Sequence, residues 1–264
     1  ETPIYLKNIN SVKYLENRKS SNEIRMKITD KIEITNEDNM QLMARYPDEY
    51  FDLAIVDPEY CIGASKPSDK SGYVLQKNGD KKFVKQPNYT PKEWDFKKSD
   101  AAYFSELFRV SKKQIVKGGN YYGLEGGYLV WNKLNGESDQ FDCELFWLSF
   151  SQRTDNFYYM WAGMMQGIYC GKNIKEALVQ QGDKSKNEKR IHPTQTPVPV
   201  YKYLLHNYAA SGYKILDTHL GSGSHAIACH DYGFELTACE LDTEYYDLAI
   251  NRVKNHVSQL KLEL

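Results

Sequence analysis

Two short stretches of the chain carry residues whose types and spacing could do chemistry, and the first is Asp57-Pro58-Glu59-Tyr60. These residues follow the apolar run Phe51–Val56, which predicts a buried strand. An aspartate at the end of such a strand and the carbonyl of the next proline can accept both hydrogens of the amino group on a planar base. Tyr60 could then stack on the ring, a contact worth roughly 1–3 kcal/mol. The alternative is a plain turn, in which Pro58 ends the strand and Tyr60 packs in the core.

The second stretch, Lys214–Asp242, has the pattern of a unit that binds an adenosine-containing cofactor. Its short apolar run Ile215–Asp217 predicts a buried parallel strand that ends in a carboxylate. Gly221 and Gly223 follow, and they predict a turn in which the backbone can approach a ligand without interference from a Cβ atom. Ser224 is predicted to cap the helix that begins there.

A second strand, Phe234–Cys239, is predicted next, and Glu240 lies at its carboxyl end. There a carboxylate can accept both hydroxyl groups of a ribose. The glycine spacing, with an acidic residue about twenty positions further on, satisfies the fingerprint for nicotinamide dinucleotides and so allows an oxidoreductase. The same arrangement serves S-adenosylmethionine, with Asp217 near the methionine end. This stretch alone leaves the choice between a hydride donor and a methyl donor open.

Composition limits the class of protein. The 264 residues suffice for one large domain, or for one domain with a small insertion, and 41% hydrophobic residues predict a globular core. The net charge is -1, so any affinity for nucleic acid must come from local basic patches. No apolar run approaches transmembrane length and no signal-like start is present, which predicts no membrane partner. The cysteines lack C-x-x-C spacing, which argues against a zinc site and for a reducing compartment.

The elements that must position these residues follow from caps and periodicity. Further strands are predicted at Lys31–Thr35, Gln114–Val116 and Tyr128–Trp131. Four helices are predicted. The first is capped by Asp38 or Asn39 and the second by Asp100, and their apolar stripes are Met40, Met43 and Ala44, and Ala101, Phe104 and Phe108, respectively. The third is capped by Thr196, has Pro197 as its first residue and buries Val200, Leu204, Leu205 and Tyr208, and the fourth begins near Thr243 and buries Tyr245, Leu248, Ala249 and Val253.

Two lysine-rich segments are candidates for contact with phosphates. Residues 61–98 contain nine lysines against four acidic residues, and a long connection directly after a catalytic strand is typical of a mobile lid. Residues 151–190 end in a polar stretch that is the candidate for a small target-recognition insertion. Each segment could instead be an exposed, solvated loop. The lysines assigned to DNA are Lys66, Lys70, Lys81, Lys82 and Lys85 in the first segment and Lys184 and Lys186 in the second.

Taken with His192-Pro193-Thr194-Gln195-Thr196-Pro197, the two stretches resemble the amino-group DNA methyltransferases. The chain order, with the catalytic tetrapeptide first and the cofactor glycines last, is similar to that of their beta class. The similarity is closest to the short phage-type adenine methyltransferases and covers most of residues 30–255. Further stretches that match the family are Trp94-Asp95, Gly118-Gly119-Asn120-Tyr121-Tyr122, Trp131-Asn132-Lys133 and Glu240-Leu241-Asp242.

The resemblance implies an α/β, Rossmann-like methyltransferase fold, with a mixed, mostly parallel sheet and helices on both faces. It implies S-adenosylmethionine as cofactor, double-stranded DNA as partner, no metal, a possible homodimer, and a bacterial or phage-encoded protein of the cytoplasm. The implied organisation is an arm at 1–30, a catalytic half at 31–150 with the lid 61–98, the recognition segment 151–190, and a cofactor-binding half at 191–264.

The resemblance also assigns roles by position. A flipped base would be held by Asp57, Pro58 and Tyr60. The cofactor adenine would lie near Asp38 and the ribose near Glu240. The methionine half would be surrounded by His192, Thr194, Asp217, Gly221 and Gly223.

Three positions depart from the pattern of the family. Glu59 stands where the family usually has proline, His219 where many relatives carry phenylalanine, and Thr196 where lysine is common. Glu59 removes rigidity and adds a negative charge beside a polyanionic substrate. The sequence therefore predicts methylation of adenine N6 in DNA, with two alternatives. One is another acceptor, such as cytosine N4, RNA or a protein amide. The other is a catalytically weakened relative that only binds DNA.

Overall fold

The computed structural model describes residues 24–59, 72–75, 79–84, 98–134, 141–162, 165–167 and 187–259. A 3-10 turn spans Gly119–Tyr122. The strands and helices, in chain order, are β1 (Ile24–Lys27), β2 (Ile32–Asn36), α1 (Asn39–Met43), β3 (Leu53–Val56), β4 (Gly72–Leu75), β5 (Lys81–Val84), α2 (Ala101–Val110), β6 (Gln114–Lys117), β7 (Gly127–Asn132), β8 (Cys143–Leu148), β9 (Thr154–Tyr158), β10 (Met160–Ala162), β11 (Met165–Gly167), α3 (Val198–Tyr208), β12 (Lys214–Asp217), α4 (Ser224–Tyr232), β13 (Glu235–Cys239) and α5 (Thr243–Val257).

Nine of these strands form one mixed sheet in the order β1-β2-β13-β12-β3-β6-β8-β7-β9. The five neighbours from β2 to β6 are all parallel. β8 runs antiparallel to β6 and β7, and β1 is an antiparallel edge strand beside β2. The predicted mixed, mostly parallel sheet is confirmed, and so is each strand predicted within the described residues to within two residues at either end.

The central strand β3 shows why helices cover both faces of this sheet. All four of its residues are buried. Leu53 and Ile55 pack in the core cluster that contains α3, α4 and α5, whereas Ala54 and Val56 pack in the cluster that contains α1 and α2. Because successive side chains of a strand point to opposite faces, a continuous apolar run requires cover on both sides.

Helix α2 begins where predicted, but its buried stripe differs from the prediction. The Asp100 carboxylate accepts a hydrogen bond from the backbone N–H of Tyr103 at 3.0 Å, so the predicted cap is confirmed. The buried residues are Tyr103, Leu107 and Val110, whereas Phe108 is 40% exposed. The predicted stripe is therefore wrong for Ala101 and Phe108, which are exposed, whereas Phe104 is partly buried against the core cluster. Burial of Tyr103 lets its hydroxyl reach Thr218 at 2.8 Å, and this contact fixes the rotation of the helix.

Two predicted caps are also wrong, because each hydroxyl has another partner. Helix α4 is capped by Gly223, which has a φ of 75°, and the Ser224 hydroxyl instead bonds that of Ser222 at 3.0 Å. Helix α3 begins at Val198 rather than at Pro197. The Thr196 hydroxyl accepts a hydrogen bond from a buried lysine described below.

In α5, Leu248 is 40% exposed and not buried as predicted, whereas Tyr246 and Ile250 face the core. Among the described residues, no helix combines the length and the apolar composition that crossing a bilayer requires.

Candidate active site

A cavity lies at the carboxyl edge of the parallel strands, where the loops after β2, β3, β12 and β13 meet the segment before α3. From β3 the chain continues to one side of the sheet, and from β12 to the other, so the cavity sits at a topological switch point. The residues that line it are Glu37, Asn39, Asp57, Pro58, Glu59, His192, Thr194, Gln195, Thr196, Tyr201, Thr218, His219, Leu220, Gly221, Ser222, Glu240 and Leu241.

Glu240 fixes the loop that carries the glycines. One oxygen, Oε2, accepts a hydrogen bond from the N–H of Gly221 at 2.8 Å, and Oε1 accepts one from Asp242 at 2.9 Å. Burial raises the pKa of Glu240 to about 7, although the two backbone N–H groups favour its ionised form. A carboxylate has about four acceptor sites, so Glu240 can hold the loop and still accept hydroxyl groups from the cavity.

The structure requires glycine at the two positions of the loop for different reasons. Gly221 has a φ of 55°, and a Cβ there would have no atom closer than 4.0 Å, so its backbone faces open space near His192. A Cβ at Gly223 would come within 2.9 Å of the Val253 side chain in α5. Gly221 therefore lines the cavity, whereas Gly223 allows α5 to pack against the loop.

Two acidic residues assigned to the cofactor lie behind the cavity lining. Asp217 is 1% exposed, and its oxygens contact the N–H of His219 at 3.0 Å and Nδ1 of His225 at 2.9 Å. Asp38 caps α1 by accepting a hydrogen bond from Met40 at 2.8 Å. Asn39, next to Asp38, lines the cavity instead. The carboxylates of both residues are thus already bonded within the protein.

His192 and Thr194 line the same cavity, and the His192 ring lies near Gly221. The Thr194 hydroxyl and Nδ1 of His192 are 3.1 Å apart, and the His192 ring packs edge-on against Tyr245 with ring centroids 4.3 Å apart. These contacts hold both polar side chains at the side of the cavity that Glu240 also borders.

Asp57 lies where predicted, at the end of β3, but it belongs to a buried charge network that the sequence did not indicate. Its Oδ2 accepts a hydrogen bond from Lys117 Nζ at 2.8 Å, and Lys117 also donates to the Thr196 hydroxyl at 2.8 Å. Glu144 forms ion pairs with Lys117, at 2.6 Å, and with Lys133. Burial disfavours the charged form of Glu144, but the two ammonium groups outweigh it and lower the pKa to about 2.

Glu59 and His219, two of the departures from the family pattern, contact each other in the cavity. His219 Nε2 lies 3.2 Å from Glu59 Oε2 and 3.0 Å from the Asn39 amide nitrogen. Ser99 contacts the same Glu59 oxygen at 3.4 Å. Burial disfavours both charged forms, but their attraction outweighs it. The pKa of Glu59 is therefore lowered and the pKa of His219 is raised.

Several predicted residues are not placed by the structure. Tyr60, Lys66, Lys70, Lys85, Lys184 and Lys186 lie outside the described residues, as does the side chain of Lys82. Lys81 is exposed in β5. Within the described ranges, no group of three or more histidine, cysteine, aspartate or glutamate side chains is arranged to hold a metal ion.

The fold and the cavity are those of a Rossmann-like α/β protein with a ligand site at the switch point of its sheet, and the comparisons with known proteins supply the family. The family model described as DNA methylase, for N6 and N4 methyltransferases, matches residues 9–251. The chain therefore belongs to the DNA methylase family, whose members transfer a methyl group from S-adenosylmethionine to an amino group in DNA. None of the individual curated proteins matches the sequence.

Three solved structures show a partial similarity to this chain. The M1.HpyAVI–SAM complex has a TM-score of 0.45 at 15% identity and covers 83% of this chain and 98% of that one. TTHA0409 from Thermus thermophilus has a TM-score of 0.45 at 15% identity, covering 85% and 95%. The cytosine-N4-specific PvuII DNA methyltransferase has a TM-score of 0.45 at 11% identity, covering 85% and 91%.

Proposed function

We propose that the protein methylates N6 of adenine in double-stranded DNA, on a base flipped out of the helix. The observation that carries the proposal is the position of Asp57 and Pro58, which lie at the end of β3 and line the same cavity as Gly221 and Glu240. The choice of adenine rests on the resemblance to short phage-type adenine methyltransferases. Cytosine N4 presents the same amino group and is the alternative outcome of the test below.

The cavity fits S-adenosylmethionine. When bound, the cofactor supplies a sulfonium methyl group that a nitrogen lone pair can accept. Glu240 would hold the ribose, since its carboxylate lies at the end of β13 with acceptor sites toward the cavity. His192, Thr194 and the open backbone at Gly221 would surround the methionine half. Asp217, whose two oxygens are both bonded within the protein, would act through the loop, and Asp38, which accepts one hydrogen bond at the start of α1, would lie near the adenine.

The acceptors on β3 make the amino group reactive. The lone pair of an exocyclic amino nitrogen is delocalised into the ring, so this nitrogen is a poor nucleophile. Hydrogen bonds from its two hydrogens to Asp57 and to the Pro58 carbonyl would draw it toward tetrahedral geometry and free the pair. Positioning then supplies much of the rate, since it can contribute about 7–11 kcal/mol. Extruding the base costs a few kcal/mol, which stacking on Tyr60 would offset.

The parts that read and clamp DNA remain predictions. The lid 61–98, the recognition segment 151–190 and most of their lysines lie largely outside the described residues. The homodimer and the location in the cytoplasm are likewise predictions from the resemblance. The positive charge of the assigned lysines supports contact with the phosphates of DNA.

Mass spectrometry of nucleosides tests the proposed base. Mixed-sequence duplex DNA would be incubated with the protein and S-adenosylmethionine, digested, and compared with DNA incubated without the cofactor. N6-methyladenine that depends on the cofactor is the expected product. N4-methylcytosine would assign the alternative base, and the absence of any methylated base would contradict methyl transfer to DNA.

A further inference from the structure

Lys117 is a buried cation directly beneath the proposed catalytic carboxylate. It is 1% exposed and ends β6, the neighbour of β3 in the sheet. Val56 pairs with Val116 in the parallel register of these strands, so the residues that follow them, Asp57 and Lys117, lie side by side. A buried ammonium group is costly unless it is paired and hydrogen-bonded, so its partners show what it does.

Three oxygens surround the Lys117 ammonium group. Asp57 Oδ2 and the Thr196 hydroxyl lie at 2.8 Å, and Glu144 Oε2 lies at 2.6 Å. The ammonium group donates hydrogen bonds to Asp57 and to Thr196, and it forms an ion pair with Glu144. Glu144 also pairs with Lys133, so the network holds two carboxylates and two ammonium groups and is neutral.

This arrangement leaves the two oxygens of Asp57 unequal. Oδ2 is occupied by Lys117, whereas no described residue donates a hydrogen bond to Oδ1. Asp57 lines the cavity, and its side chain keeps 17% of its exposure. The free oxygen is thus the one available to a ligand.

We infer that Lys117 is a positioning residue, which fixes Asp57 as an ionised carboxylate with Oδ1 as the acceptor for the substrate amino group. The inference rests on the proposed function, since the amino group is that of the DNA base. Lys117, at the end of β6, also donates to Thr196, the position where the family commonly has lysine. It therefore places an ammonium group beside that position.

The electrostatics agree with this geometry. Burial raises the pKa of Asp57, and the adjacent Lys117 ammonium is the largest influence that opposes the rise. The other charged groups that face Asp57 are Glu144 from β8, which raises its pKa, and His219 from the loop after β12, which lowers it. Without Lys117, Asp57 would hold a proton at higher pH and would then be a worse acceptor.

The test is the titration of Asp57 in the Lys117→Met variant. Carbon-13 NMR of labelled aspartate carboxyl groups follows the protonation of Asp57 without any need for turnover, and the Asp57→Asn variant identifies the Asp57 signal. Its midpoint is expected to move to higher pH than in the unchanged protein. The turnover number should fall about 10- to 100-fold, the range found when hydrogen-bonding partners of metal-binding side chains are removed. In the profile of turnover number against pH, the acid limb should move to higher pH. The affinity for S-adenosylmethionine should be unchanged.

Matched variants separate positioning from folding. Lys112→Met is the control, because Lys112 also pairs with an aspartate, Asp52 at 2.7 Å, but has a half-exposed side chain far from the cavity. It should leave turnover and the Asp57 midpoint unchanged. If Lys117→Met does not fold, the double variant Lys117→Met/Glu144→Gln is used in its place. In that variant the remaining charges, on Asp57 and Lys133, balance each other. Thr196→Lys in either background should recover part of the lost turnover by restoring an ammonium group.

An Asp57 midpoint that stays in place when Lys117 is removed would overturn the inference, as would an unchanged acid limb. Failure of the proposed function gives a different result. In that case the unchanged protein yields no methylated base, while the Asp57 midpoint still moves in Lys117→Met.

Discussion

Glu59 Oε2 and His219 Nε2 lie 3.2 Å apart in the wall of the cavity, and their attraction lowers the pKa of Glu59 and raises the pKa of His219. When His219 is protonated, the negative charge that Glu59 brings to the site is balanced within the protein and is not simply presented to the phosphates of DNA. Thr196 likewise has a partner, since its hydroxyl accepts a hydrogen bond from Lys117. Each of the three departures from the family pattern is thus paired with another residue of this chain.

A double-mutant cycle with Glu59→Pro and His219→Phe tests this pairing. Either change alone leaves a largely buried charged group without its partner, whereas the two together restore the residues usual in the family. The coupling free energy, measured by urea unfolding of the four proteins, is expected to be roughly 0.5–3 kcal/mol in favour of the double variant. Strictly additive effects would mean that the contact between Glu59 and His219 contributes nothing.

From the raised pKa of Glu240 we expect cofactor binding to depend on pH. With its pKa raised to about 7, the free protein carries a proton on Glu240 below neutrality, and that proton must leave before the carboxylate can accept both ribose hydroxyls. Affinity should therefore fall as pH decreases below 7, by up to about tenfold per pH unit for one proton, and level off above it.

Calorimetric titration with S-adenosylmethionine between pH 5.5 and 8.5, an interval of about 1.5 units on either side of neutrality, measures this dependence. The isosteric Glu240→Gln variant is the control and should bind more weakly with little change across the range. Equal slopes in the two proteins would show that another group titrates.

At the scale of elements, α5 is tied to the glycine loop by Arg252. Its guanidinium donates to the Ser222 carbonyl and the Ser224 hydroxyl, each at 2.9 Å, and to Glu188 at 2.7 Å. Glu188 in turn accepts a hydrogen bond at 2.9 Å from the N–H of Val198, the first residue of α3. One arginine therefore connects α5, the loop and the start of α3.

Arg252→Met should loosen all three elements together. It leaves Glu188 partly buried without its cation, so we expect the free energy of unfolding to fall by up to about 3 kcal/mol. Affinity for S-adenosylmethionine should weaken as well, because Ser222 lines the cavity. Arg153→Met is the matched control, since Arg153 is exposed and, among the described residues, its side chain pairs only with Asp155. A loss of stability no greater than in that control would contradict the role of Arg252.

The elements also show how far the sequence alone can lead. Strands such as β3 and caps such as Asp100 could be predicted because their signals are local. The rotation of α2 could not, because it depends on the contact between Tyr103 and Thr218, which are 115 residues apart in the chain. The role of Lys117 could not be predicted either, because a lysine at the end of an apolar strand usually reaches solvent. Only the register of β3 and β6 brings it beside Asp57.

On the scale of the whole molecule, the sheet joins two halves that are distant in sequence. β3 comes from the first half and β12 from the last, yet they are neighbours, with Leu53 paired with Ile215. The loop with Asp57 and the loop with Gly221 therefore border one cavity. The predicted division into a catalytic half and a cofactor-binding half stays a prediction, and this shared cavity supports it.

The claim that Asp57 carries the chemistry in this cavity is tested most directly by its removal. Methylated bases formed in duplex DNA would be counted by mass spectrometry for the unchanged protein, Asp57→Ala and Asp52→Ala. Asp52 lies at the opposite end of the same strand and also pairs with a lysine. We expect Asp57→Ala to abolish methylation while it binds S-adenosylmethionine nearly normally, and Asp52→Ala to stay active. Methylation by Asp57→Ala at the unchanged rate would contradict the account.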